Sequence, residues 1–168
     1  MDKERQADPS DLTLRFAAET DAETLLGLIR GLADYERLSH EVTADVPTLR
    51  RSLFGGRPTA EAVLAESGGA PVGFALFFHN FSTFLGLPGI TIEDLYVEPA
   101  WRGRGIGQVL LRFVARRARE RGCGRLEWSV LDWNEPAIAF YRKLGGRMLE
   151  EWRIFRVAGE ALEALGRP

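Results

Sequence analysis

The chain has 168 residues, of which 45% are hydrophobic, enough for one domain with a packed core, and its formal charge of −2 argues against a general nucleic-acid binder. No apolar run approaches the roughly 20 residues that span a bilayer, and the charged start "MDKERQADPSD" lacks the apolar core of a signal peptide. Cys123 is the only cysteine, so no intramolecular disulfide can form and a reducing cytoplasm is the expected location.

With only His40 and His79 beside that cysteine, no structural zinc site is expected. All basic residues except Lys3 and Lys143 are arginine, a compositional bias that reduces the weight of any single arginine cluster. Residues 1–11 read as a disordered tail and 12–168 as a single domain. "TLRFA" (13–17) alternates like a strand, and Thr20 to Glu23 has capping-box spacing before Leu25, Leu28, Ile29, Leu32 and Tyr35 at helical spacing. A short helix is predicted within 44–54, ended by "GGRP". Strands at 62–66 and 72–79 flank the turn "SGGAP" as a hairpin. The loop "FSTFLGLPG" leads to a strand at 90–97, and a glycine-rich knot then opens a helix running to Arg121. Another strand is predicted at 125–131, a short helix at 134–146, a final strand "RIFRV" at 153–157 and a terminal helical turn in "GEALEALG". Early antiparallel pairing followed by a β-α-β-α-β run gives a mixed α/β fold.

The helix after the knot begins among Gly103, Gly105 and Gly107, with no Ser, Thr, Asp or Asn to cap it. The first N–H groups of a helix have no internal partner, and with the helix dipole they form an anion site that glycines let a ligand approach closely. An ordinary Gly-rich turn accounts for the same residues. In "ITIEDLYV" the apolar parity shifts between Ile92 and Leu95. Either a β-bulge or a strand buried on both faces explains that shift. Glu93 and Asp94 are candidate proton acceptors for an alkyl ammonium, or solvated structural carboxylates. Asn134 suits an N-cap before Pro136, and by spacing alone Tyr141 is a packing residue.

"RGRGIG" (102–107) resembles the Arg-x-x-Gly-x-Gly pyrophosphate loop of the GCN5-related N-acetyltransferases (GNAT). The match extends to "LADYE" (32–36), "IEDLYVEPAWRGRGIG" (92–107), "DWNEPAIAFYRKLG" (132–145) and "EWRIFRV" (151–157), in the order seen in diamine acetyltransferases, the spermidine/spermine enzyme and its thialysine-preferring relatives. The resemblance implies the acyl-CoA N-acyltransferase fold, a central, mostly antiparallel sheet splayed at strands 4 and 5 and flanked by helices. It implies acetyl-coenzyme A as acetyl donor and no metal. Its diphosphate would lie on Arg102, Gly103, Arg104, Gly105, Ile106, Gly107 and Gln108, and its pantetheine arm on Leu95, Val97 and Asn134. Leu95 N–H would polarise the thioester carbonyl, Glu93 would orient and deprotonate the amine, and Tyr141 would protonate the departing thiolate. Tyr35, Glu36, Glu93, Glu127, Trp128, Ser129 and Glu151 would contact the amine, and a homodimer is implied. One departure is the sequence "RLSH" (37–40), where polyamine enzymes carry further acids. Arg37 there would repel a long polyamine, so among diamine, polyamine and thialysine- or lysine-like substrates a shorter amine fits as well or better. Acetylation of protein N-termini or lysines is the alternative activity. A non-catalytic acetyl-coenzyme A sensor is a different class, disfavoured because binding alone needs neither Glu93 nor Tyr141.

Overall fold

The computed structural model describes residues 11–168. The expected tail therefore lies, apart from Asp11, outside the described residues. Two compact units, Met1–Ser129 and Val130–Pro168, divide the chain and are taken in turn.

In the first unit β1 (Leu12–Phe16) pairs antiparallel with β2 (Glu61–Ser67), and α1 (Ala22–Glu36) and α2 (Val46–Phe54) lie between them in the chain. Thr20 does not cap α1. The chain enters through a 3-10 turn at Glu19–Asp21, where the Asp21 carboxylate accepts the Ala18 N–H at 2.7 Å and an Arg15 guanidinium bond at 2.6 Å. A carboxylate that takes both an amide and a cation outcompetes a neutral hydroxyl at this position. Helix α2 is capped by Asp45, which accepts the Thr48 N–H at 2.8 Å, with Pro47 in the first turn.

Gly68 and Gly69 both have positive φ, as a two-residue hairpin turn requires, and they join β2 to β3 (Ala70–Ser82). Strand β3 pairs antiparallel with β4 (Leu87–Val97), and the ladder runs on to Ser82 opposite Leu87, through much of the predicted loop. After α3 (Ile106–Glu120), β5 (Arg125–Trp128) pairs parallel with β4 over Gly89–Ile92. β5 thus stops short of the predicted 131. The sheet order is β1-β2-β3-β4-β5.

Both faces of this sheet are covered. Leu64, Phe74, Leu76 and Tyr96 join Leu25 and Leu28 of α1 and Leu53 of α2 in one cluster. Side chains alternate along a strand, so Val63, Ala75, Phe77 and Ile92 point to the other face, where α3 packs and buries Leu110 and Val114.

In the second unit, α4 (Glu135–Lys143) is capped by Asn134, whose side chain accepts the Ala137 N–H at 3.3 Å, and Pro136 lies in its first turn. The chain ends in α5 (Gly159–Leu165). The predicted strand at 153–157 is not formed: the segment belongs to none of the five described strands, and Ile154 and Phe155 are 77% and 95% exposed. Its apolar pattern suits a strand, but a strand exists only with a ladder partner to satisfy its backbone.

Candidate active site

Between β3 and β4 the register shifts by one residue: Phe77 stands opposite Ile92, but Leu76 stands opposite Asp94. Glu93 is the extra residue, and the parity change in "ITIEDLYV" is therefore a β-bulge. The β4–β5 ladder ends at Ile92 and Trp128, so β4 runs on to Val97 past its parallel partner. The Glu98 N–H bonds the Val72 carbonyl at 2.9 Å, and the Tyr96 carbonyl lies 2.6 Å from where a Gly73 Cβ would stand. Even-numbered residues thus address β3, and the backbone groups of Leu95 and Val97 point to the opposite edge.

Beyond that edge comes the glycine knot. Gly103 and Gly105 have φ of 74° and 82°, and Gly105 is the N-cap of α3 with no side-chain cap bond. A Cβ on either glycine would meet nothing within 4 Å. Torsion, not crowding, requires glycine here, and no side chain caps the first-turn amides. Gly107 and Gln108 already lie in α3, and the side chain of Ile106 is buried in the core, leaving its backbone alone for a ligand. The Arg104 guanidinium sits over the Trp101 ring at 4.7 Å. Arg102 donates from Nε to the Val97 carbonyl at 2.9 Å and lies 4.4 Å from the Tyr35 ring centre.

A cleft of about 360 Å³ opens beside the bulge. Ile29, Leu32 and Ala33 of α1 line it, and so do four acids, Glu36, Glu41, Glu93 and Asp94, with no lysine or arginine among the lining residues. Asp94 is half-buried, and burial, aided by the neighbouring charges of Glu93 and Glu36, pushes its carboxyl up to about 6. Burial raises Glu36 as well. An apolar wall carrying several acids is a receptor for an organic cation.

Arg37 does not line this cleft. It adopts φ 62° as the left-handed cap of α1, and the next residue, Leu38, bonds back to the Ala33 carbonyl at 2.8 Å. Beyond that reversal Leu38 and Glu41 line the cleft. Asp94 and Glu41 line the cleft and are not among the residues that the resemblance implies for amine contact. The parity shift was a signal for a break beside Asp94, though not for which residue is the extra one. Glu41 had none.

The remaining predicted contacts divide. Glu127 stands opposite Thr91, its carboxylate 3.1 Å from both Asn80 Nδ2 and Arg125 Nε, and it is not among the cleft's lining residues. Trp128 is half-buried at the end of β5 and Ser129 is exposed after it. In the second unit Tyr141 is half-buried in the last turn of α4, its ring centre 5.3 Å from that of Phe140, and Glu151 is exposed. The buried Asn134 side chain is used as the α4 cap. Among the described residues no group of three His, Cys, Asp or Glu side chains could hold a metal ion, and no helix is long and apolar enough to cross a membrane.

Residues 29–146 match the acetyltransferase (GNAT) family. The chain is 40% identical over 163 residues to the thialysine N-epsilon-acetyltransferase of Bos taurus, covering 90% of this chain and 95% of that protein. It is 31% identical over 199 residues to the L-ornithine N5-acetyltransferase of Arabidopsis thaliana, covering 92% and 87%. Among solved structures, an integron cassette protein from the mobile metagenome of V. cholerae shares the fold with a TM-score of 0.79 at 23% identity, covering 94% of this chain and 99% of that one. With the family match spanning most of the sequence and N-acetyltransferases aligned along nearly their whole length, the chain belongs to the acetyltransferase (GNAT) family and is an N-acetyltransferase.

Proposed function

We propose that the chain transfers the acetyl group of acetyl-coenzyme A to a primary amine of a small cationic substrate, of the thialysine, ornithine or diamine class. The observation that carries this reading is the cleft, whose four acids and apolar α1 wall lie beside the bulge of β4. Its volume, about 360 Å³, is at the small end of ligand sites and favours a short chain over spermine. The names of the bovine and plant relatives, which act on thialysine and ornithine, support the same class.

The uncapped amides from Gly103 to Gln108 fit a diphosphate, and the outer edge of Leu95 and Val97 fits an amide-bearing arm that adds to a sheet edge as a strand would. Asn134 would supply a further bond to that arm. Acetyl-coenzyme A supplies an activated acetyl thioester. Glu93 orients the substrate ammonium and accepts its proton through water, because only the neutral amine is a nucleophile. Asp94 and Glu36 reinforce the field that draws the cation in. The Leu95 N–H donates to the carbonyl oxygen where negative charge develops. Tyr141 gives its proton to the leaving sulfur. Tyr35, Glu41, Glu127, Trp128, Ser129 and Glu151 complete the proposed amine contacts, with Glu127 already half neutralised by Arg125. The same reading makes the protein a cytoplasmic homodimer.

A coenzyme-release assay over thialysine, lysine, ornithine, diamines, spermidine, spermine and N-terminal peptides tests it. Turnover with a short dicationic amine and a lower kcat/KM with spermine is the expected result. Turnover with peptides alone would transfer the protein to the alternative activity, and acetyl-coenzyme A binding with no turnover would make it a sensor.

A further inference from the structure

Two contacts hold the end of α1 against β4. Gly31 and Tyr35 are one turn apart, so they share a face of the helix. At Gly31 the missing Cβ makes room for Tyr96 of β4, because a Cβ there would lie 2.6 Å from the Tyr96 hydroxyl. At Tyr35 the Arg102 guanidinium lies 4.4 Å from the ring centre, and 5.6 Å from that of Tyr96, while its Nε holds the Val97 carbonyl at 2.9 Å. Glu36 follows Tyr35, and Asp94 precedes Val97 on the same strand. These two acids line the cleft from its opposite elements.

We propose that the Arg102 side chain is a positioning residue for the amine rather than a ligand of the diphosphate: it clamps Tyr35 to the outer edge of β4 and so sets the separation of Glu36 from Asp94 across the cleft. The inference rests on the function proposed above. Guanidinium chemistry suits the task. Its N–H bonds lie in the plane and its faces are flat, so one group bonds a carbonyl edge-on while stacking on a ring. A lysine ammonium keeps the charge but cannot do both.

The test pairs calorimetric titration of acetyl-coenzyme A with amine kinetics at saturating donor, on the parent, Arg102→Met, Arg102→Lys, Tyr35→Leu and the Arg102→Met/Tyr35→Leu double variant. A clamp predicts that Arg102→Met and Arg102→Lys each raise the amine KM about tenfold, with kcat less affected and the donor Kd within about twofold of the parent. It also predicts that the double variant is little worse than Tyr35→Leu alone, since the clamp is already lost in that variant. Should Arg102→Met fail to fold, Arg102→Lys and its combination with Tyr35→Leu give the same cycle. The clamp is overturned if Arg102→Met weakens donor binding about tenfold or more with the amine KM unchanged, if Arg102→Lys behaves as the parent, or if the two losses add. A parent that bound no acetyl-coenzyme A would overturn the proposed function, and the clamp with it.

Discussion

Asp94 stands opposite Leu76, the place that an unbroken register from Ile92 and Phe77 would give to Glu93. Its side chain therefore shares the face of a core leucine, against α1, with Glu36 and Glu93 as charged neighbours and Glu41 on the same cleft. A half-buried acid among acids holds its proton to higher pH, here about 6. For activity, an ionised cleft is needed to bind the ammonium and take its proton, so kcat/KM is expected to rise as pH passes about 6. For stability the sign is opposite. A raised carboxyl stabilises the fold below its usual value of 3.8, and that contribution is lost as pH climbs through about 6. Asp94→Asn should remove the acidic limb of the rate profile and raise the melting temperature at pH above the limb relative to the parent. A limb unchanged in that variant would assign it to another group.

Gly105 tests the anion site. Its φ of 82° admits no ordinary side chain without strain, although space is open around it. Gly105→Val should weaken acetyl-coenzyme A binding by about tenfold or more through displaced amides. In a thermal-shift measurement the parent should gain about 2.7 kcal/mol at a hundred times its Kd, and the variant much less at the same concentration. Equal gains would remove the diphosphate from this loop.

Tyr141→Phe keeps the ring and its neighbour Phe140 while deleting the hydroxyl. If that hydroxyl protonates the thiolate, kcat should fall about 10²–10⁴-fold with donor affinity nearly constant. A fall of less than about threefold would leave the residue a packing role and give the proton to another donor.

Gly31 makes a stability prediction. Alanine is the better helix former by about 1 kcal/mol, yet its Cβ would lie 2.6 Å from the Tyr96 hydroxyl. The clash should win, and Gly31→Ala should lower stability by about 1–3 kcal/mol in a urea melt. Combining it with Tyr96→Phe should recover part of the loss. No recovery would mean that another contact limits the space.

The features legible in the sequence are local ones. Left-handed glycines at 103 and 105 and the parity break after Ile92 each leave a mark within a few residues, and both are present where the pattern places them. The break did not say which residue is the extra one, and that choice decides whether Glu93 or Asp94 turns toward α1. The place of Arg37 at the end of α1 was not legible, because a left-handed cap on a non-glycine residue carries no compositional signal. The stretch 153–157 failed for a different reason: alternation describes what a strand would bury, while pairing depends on a distant segment. Arg102 reads as a loop residue in any local window, and its stack on Tyr35 comes from tertiary packing.

The bulge also divides β4 in time. The Tyr96 N–H bonds into β3, inside the best-covered part of the sheet, whereas Leu95 and Val97 on either side of it face away past the last β5 pair. Neighbouring amides on one strand should then exchange their hydrogens with solvent deuterium at very different rates, the central one waiting for a larger opening than its two flanks. A ligand that extends the sheet along this edge would slow the flanks and leave the centre as it was. Mass-resolved or NMR exchange, read residue by residue, would thus report occupancy of the edge without any turnover.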